Sequence, residues 1–237
     1  MISSITIGDK NTLTDFGLLP QRRLTVATPE VKAEYVDVHG TDGPLDLTTA
    51  LTGDVQYGSR EGAWDFAAAN RYRDPFALQH EINNYMHGRR LRAVLSSDPQ
   101  YYYMGRYSVE VGKLNRGGLW VTIKYVLEPY KYDMTSTTEP WLWDPFSFET
   151  GIIRDYADLV VDGTLELDVI PSTRPCIPVI ESNVDGMVVE WRGMPYTLSA
   201  GSNYIPGIVI RDAPYLDNIL TFTGHGTVSV DYRGGWL

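Results

Sequence analysis

Residues 74–106 read DPFALQHEINNYMHGRRLRAVLSSDPQYYYMGR, and their periodicity changes halfway. Asp74 can accept hydrogen bonds from a first helical turn, Pro75 suits the first helical position, and Gly88 suits the left-handed residue past the end. Between them Leu78, Ile82, Tyr85 and Met86 fall on one face, the apolar stripe of a helix that packs on a sheet. From Arg90 to Leu95 and from Arg106 to Val111 the pattern becomes that of strands, alternating or β-branched. The stretch predicts one helix laid on β structure.

The same strand pattern extends outward from it. Arg23 to Val26, Glu34 to Val38 and Leu119 to Leu127 read as strands in the first half, separated by turn signals at 39–43, 97–99 and 115–118. The last of these predicts a hairpin. Residues 133–140, DMTSTTEP, are polar and aperiodic and close on a proline, so they are the best linker. Beyond them Leu165 to Ile170, Ile177 to Ser182, Met187 to Trp191, Met194 to Ser199, Ile208 to Ile210, Ile219 to Thr223 and Thr227 to Tyr232 read as short strands. The expected fold is therefore all-β, with two β-sandwich domains: residues 1–133 with one helix, and residues 134–237 as a sandwich or jelly roll.

Composition narrows the function. Hydrophobic residues make up 43% of the 237, enough for real cores. The net charge of −10 argues against nucleic-acid binding, which needs Lys and Arg on the phosphates. The charge is unevenly placed: 15 basic and 16 acidic residues lie in 1–133, against 5 and 14 in 134–237. One cysteine, Cys176, excludes an internal disulfide and a Cys-rich zinc site. That single thiol suits synthesis in a reducing cytoplasm. No basic-then-apolar leader opens the sequence, and no apolar run approaches the ~20 residues that span a bilayer.

A search for chemistry predicts no catalytic residue, no cofactor and no metal. His80 and His87 stand seven apart, whereas the zincin helix needs histidines four apart with a third ligand. Asp42 and Asp46 flank Gly43-Pro44, where turn geometry explains aspartate better than a glycosidase acid pair does. His39 and His225 sit in similar turns. Gly-Ser pairs at 58–59 and 201–202 lack the second glycine of a nucleophile elbow. Cys176, beside Pro175, reads as a small buried apolar residue.

The aromatic residues say more. Tyr101, Tyr102 and Tyr103 are consecutive on a predicted strand, whose side chains alternate between faces, so at least one points outward. With Arg106 they are the expected oligomer contacts, since outward Tyr and Arg are typical interface anchors. Trp191, Tyr196 and Tyr204 are possible saccharide or partner contacts, and core packing explains tryptophan in a sandwich equally well. Trp141 and Trp143 are placed to seal a domain junction.

Several pieces together resemble siphophage distal tail proteins. Residues 41–48 with Tyr57-Gly58-Ser59-Arg60 resemble that family's early core. The run Met86-His87-Gly88-Arg89-Arg90, followed by Asp98-Pro99-Gln100-Tyr101-Tyr102-Tyr103-Met104-Gly105-Arg106, is the strongest match. Glu128-Pro129-Tyr130-Lys131 is similar to the end of the family's first domain, and residues 198–207 and 228–233 to its galectin-like second domain. The resemblance implies a non-enzymatic virion protein at the tail tip, a homo-oligomer forming a hexameric ring. Its partners would be the tail tube protein, a tail-associated tip protein and peripheral receptor-binding or baseplate proteins. The alternative is a carbohydrate-binding adsorption module that recognises host-surface saccharide.

Overall fold

The computed structural model describes residues 3–70, 74–113, 118–140, 153–213 and 216–237. The predicted turn at 115–117 and the Trp141 and Trp143 reading lie outside them. The chain divides into two compact units, one running to Lys131 and including Leu237, the other Tyr132–Trp236.

The first unit contains β1 (Ile5–Ile7), β2 (Lys10–Asn11), β3 (Leu18–Pro20), β4 (Tyr35–Val36), β5 (Leu45–Asp46) and β6 (Arg60–Ala68). After α1 (Pro75–Met86) follow β7 (Arg90–Leu95), β8 (Tyr101–Lys113) and β9 (Leu119–Asp133). The main sheet runs β2-β1-β7-β8-β9-β6-β3. β9 alternates strictly, with Leu119, Val121, Ile123, Tyr125 and Leu127 buried and the residues between them turned outward. Ile5, Ile7, Phe16, Leu18, Trp64, Phe66 and Tyr107 share their core. Trp64 packs 4.3 Å from the Tyr125 ring and donates its indole N–H to Thr25 O at 2.8 Å.

The helix forms as predicted. The Asp74 carboxylate accepts from Phe76 N and Ala77 N at 3.3 Å, and Leu78, Ile82 and Met86 are buried. Gly88, at φ +70°, turns the chain so that its N–H reaches Tyr107 O at 2.9 Å. Tyr85 is only half-buried, because its hydroxyl donates to Ile7 O at 2.7 Å and accepts from Asp9 N at 2.9 Å. Burial, then the hydrogen bond to the Asp9 carboxylate, raises the Tyr85 pKa, and the bond from Asp9 N opposes that shift.

The second unit contains β10 (Leu159–Asp168), β11 (Val179–Ser182), β12 (Val188–Trp191), β13 (Met194–Thr197), β14 (Gly201–Tyr204), β15 (Ile219–Asp231) and β16 (Gly235–Trp236). Its sheet runs β13-β12-β15-β11-β14, with β10 along the other side of β15. Val161, Ile180, Val189, Leu220, Phe222, Val228 and Val230 form its core with Trp191 and Tyr232. Asp133 anchors the C-terminal strap: it accepts from Trp236 Nε1 at 2.8 Å and from Arg154 Nη1 at 3.2 Å. Burial raises the Asp133 pKa, and the Trp236 hydrogen bond and Arg154 charge oppose that shift.

The all-β expectation holds, but boundaries differ. Arg23 to Val26 is not a strand: Leu24 is tucked into the core and the chain runs irregularly past it. Three strands before residue 21 and β6 were not predicted, since β6 carries Gly62 and three alanines instead of β-branched residues. Residues 219–231 form one strand rather than two, because Gly224 and Gly226 continue the ladder to β10. Residues 208–210 make only an isolated bridge, Cys176 to Ile210.

Two substitutions test this packing. A Cβ on Gly105 would lie 2.3 Å from Val126 O and 2.7 Å from Leu127 Cα. Gly105→Ala should therefore cost about 1–3 kcal/mol in urea denaturation, as overpacking does. Asp133→Ala strands the Arg154 guanidinium, whose residue is 9% exposed. The expected loss is about 3 kcal/mol or more, largely recovered in Asp133→Leu/Arg154→Met, read by the same denaturation.

Candidate interaction surfaces

β8 carries the predicted oligomer contacts. Its ladder with β7 pairs Arg90 with Arg106 and Ala93 with Tyr103, which fixes which side chains face in. Tyr103, Gly105, Tyr107 and Val109 are buried; Tyr102, Met104, Arg106 and Ser108 face the other way. Tyr103 is thus corrected to a core residue, at 8% exposure. It lies under the Arg60 guanidinium, 5.5 Å from its ring centre. Arg60 is itself buried and donates to Pro129 O at 2.8 Å and Ala27 O at 3.0 Å. Desolvation lowers the Arg60 pKa and raises that of Tyr103.

Tyr101 and Tyr102 are half-buried and Arg106 is exposed. The Lys131 ammonium sits 4.1 Å from the Tyr101 ring centre and pairs with Asp98 at 3.0 Å. Arg106 Nη1 donates to Gly88 O at 2.6 Å, and Arg90 pairs with Glu128. Tyr101 and Arg106 are therefore held in place, and Arg106 and part of the Tyr101 and Tyr102 rings are open to contact.

A second surface went unread in the sequence. Residues 31–57 leave the first sheet as an arm, closed at its base by Lys32 N to Gln56 O and Gly58 N to Glu30 O, both 2.8 Å. β4 and β5 pair with one another within it as a separate two-stranded sheet. Val31, Tyr35, Val36, Val38, Leu45 and Leu51 are all exposed, Leu51 at 93%. The available signal was length: apart from Glu34 to Val38, nothing between residues 27 and 73 reads as an element, and so long an irregular run in a compact domain is usually functional.

The remaining candidates separate. Asp42 and Asp46 are exposed on the arm. Hydrogen bonds from Thr48 lower the Asp46 pKa, the reverse of what a glycosidase acid needs. His39, His80 and His87 are exposed, and His225 meets Asp162 at 2.8 Å on the surface. Among the described residues no three His, Cys, Asp or Glu are grouped to hold a metal. Burial pushes the Cys176 thiol up to about 11, so it is a poor nucleophile at neutral pH. No described helix is long and apolar enough to cross a membrane.

Trp191 is corrected as well. It is 4% exposed in the second core, with Arg192 over its ring at 4.8 Å. Tyr196 is half-buried, packed on the second core with its hydroxyl against Gly207, and Tyr204 is exposed on β14, at the opposite end of the strand order from β13. The three rings do not form one stacking platform.

Two compact, mainly β units, the first with α1 on its sheet and a projecting arm, make up the fold of the described residues. The crystal structure of the SPP1 Dit (gp 19.1) protein, described as a paradigm of the hub adsorption apparatus in phages infecting Gram-positive bacteria, is similar over its whole length. The TM-score is 0.62 at 13% identity, covering 100% of both chains. No family model and no curated protein matches the chain.

Placement of the tyrosines predicts a split. Tyr103→Ala should cost about 3–5 kcal/mol of stability, as large aromatic truncations in cores do, whereas Tyr102→Ala should cost far less. Denaturant midpoints of the two variants check it.

Proposed function

We propose that the chain is a non-enzymatic structural protein of a phage tail tip, a distal hub that closes into a ring of six between tail tube and baseplate. The observation that carries the reading is the arm. Its backbone is held by two short strands, and a hairpin of that size is marginal on its own in water. Its six large apolar side chains lie open, and fully covering one such side chain is worth about 1.5–3 kcal/mol. A ring of heterologous contacts supplies the cover, each arm lying on the next copy while the first unit receives the arm before it.

The full-length likeness to the SPP1 hub protein supports the same reading. Tyr101, Tyr102 and Arg106 join the arm as ring contacts. In this reading residues 1–133 form the ring, and residues 134–237, galectin-like, project outward to hold receptor-binding or baseplate proteins. The tail tube protein and a tail-associated tip protein bind its two faces. The near-neutral first half leaves the central passage open to DNA without gripping it, and the acidic second half favours basic partners. The protein is made in the host cytoplasm and resides in the virion tail tip. The saccharide-adsorption alternative loses its main support with Trp191 buried.

Light scattering after size exclusion should give a particle of about six times the 26.6 kDa chain mass. Tyr35→Asp/Leu51→Asp should move that mass to a single chain while leaving circular dichroism unchanged. A wild-type chain that stays single at high concentration overturns the ring, and an intact ring in the double variant overturns the arm's part in it. Tyr102→Ala/Arg106→Ala assembling normally removes those two residues from the contact.

A further inference from the structure

We infer that β10 is an open sheet edge that accepts an extended, lysine- or arginine-rich segment of a partner protein by strand addition. Along its whole length, from Leu159 opposite Val228 to Asp168 opposite Ile219, β10 pairs with β15 and with no other strand among the described residues. In an antiparallel ladder alternate residues turn their N–H and C=O away from the partner, so about half of its ten residues present outward backbone groups, of which Asp168 O accepts from the Tyr156 hydroxyl at 3.3 Å.

Natural edges are blunted with charged side chains, above all lysine, with proline or with bulges. β10 has neither lysine nor proline, and its one interruption is Gly163, at φ +89° opposite Gly224. The run Thr164–Asp168 beyond it is regular. Its charges are all of one sign. Val160, Asp162, Thr164, Glu166 and Asp168 share the exposed face, and Asp158 precedes them. Asp162 meets His225 at 2.8 Å, and no other ion pair is seen on this strand among the described residues. The β15 residues opposite Glu166 and Asp168 are Thr221 and Ile219, and Glu190 of β12 stands on the far side of Thr221.

An all-acidic edge repels a second copy of itself, since like charges directly opposite are destabilising, and it draws a cationic strand. Val160 and Ile219, both exposed, give such a strand apolar contacts beside the charges. The occupant is thus an extended basic segment: backbone hydrogen bonds supply the attachment and the acidic side chains select its charge. The inference stands apart from the ring reading, because a chain that never assembles would present the same edge.

The test uses the full chain and a fluorescent twelve-residue peptide of alternating Lys and Val, followed by anisotropy. Saturable binding that weakens steeply with salt is expected, together with slowed amide exchange at alternate residues of β10. Asp162→Lys/Glu166→Lys/Asp168→Lys should weaken it at least about tenfold, from the loss of several surface ion pairs, whereas Glu61→Lys in the first unit should not. The same peptide N-methylated at every second amide keeps its charge and loses one hydrogen-bonding edge, with the methylated register chosen to face β10; it should fail to bind the wild-type protein. Equal binding of the methylated peptide, or binding without protection of β10 amides, overturns strand addition even if the charge-reversed variant does not fold.

Discussion

Each unit of this protein hangs on one long strand whose two edges are both occupied. β9 is flanked by β8 and β6, and β15 by β10 on one side and by β12 and then β11 on the other. A central strand with both edges paired satisfies its backbone groups without water, and so it can carry a buried face. The strict alternation of Leu119, Val121, Ile123, Tyr125 and Leu127 then orients everything laid against it, because a slip of one residue would turn that whole set outward. Trp64, Tyr107 and the α1 face have positions only because that register is fixed.

The same pairing decides what is left over. Once β9 and β15 have taken their neighbours, the arm at 31–57 finds no place in the sheet, and β10 keeps one side open. Both leftovers bear side chains suited to a partner of a particular kind. The arm carries one lysine against five acidic residues, and its exposed apolar side chains suit burial against a neighbouring surface. The β10 edge is uniformly acidic, which excludes its own kind.

Buried charges mark the places where the chain changes direction. Arg60 ties the start of β6 to Ala27 and Pro129 and stands over Tyr103, so a cation holds an irregular segment and the far part of β9 by their carbonyls. Asp133 does the converse in the second unit, accepting from Arg154 and Trp236 while its own backbone N–H donates to Gly234 O. Breaking either pairing removes one partner from a desolvated set, which costs far more than a surface pair would.

Local chemistry was legible wherever one residue type has one use. The cap at Asp74, the stripe Leu78, Ile82 and Met86, the turn at Gly88 and the alternation of β9 follow from side-chain size, hydrogen bonding and periodicity alone, and so did the all-β class. The sequence alone also determined the acidic second half. It did not reveal β6, whose small residues are strand only because β9 and β3 hold them, nor the single run of β15, where glycines that usually mark turns continue a ladder. The facing of Tyr103 and Trp191, the exposure of the arm and the open side of β10 were decided by tertiary structure only. Each depends on which strand lies alongside, and pairing between distant segments leaves no periodic trace in either one.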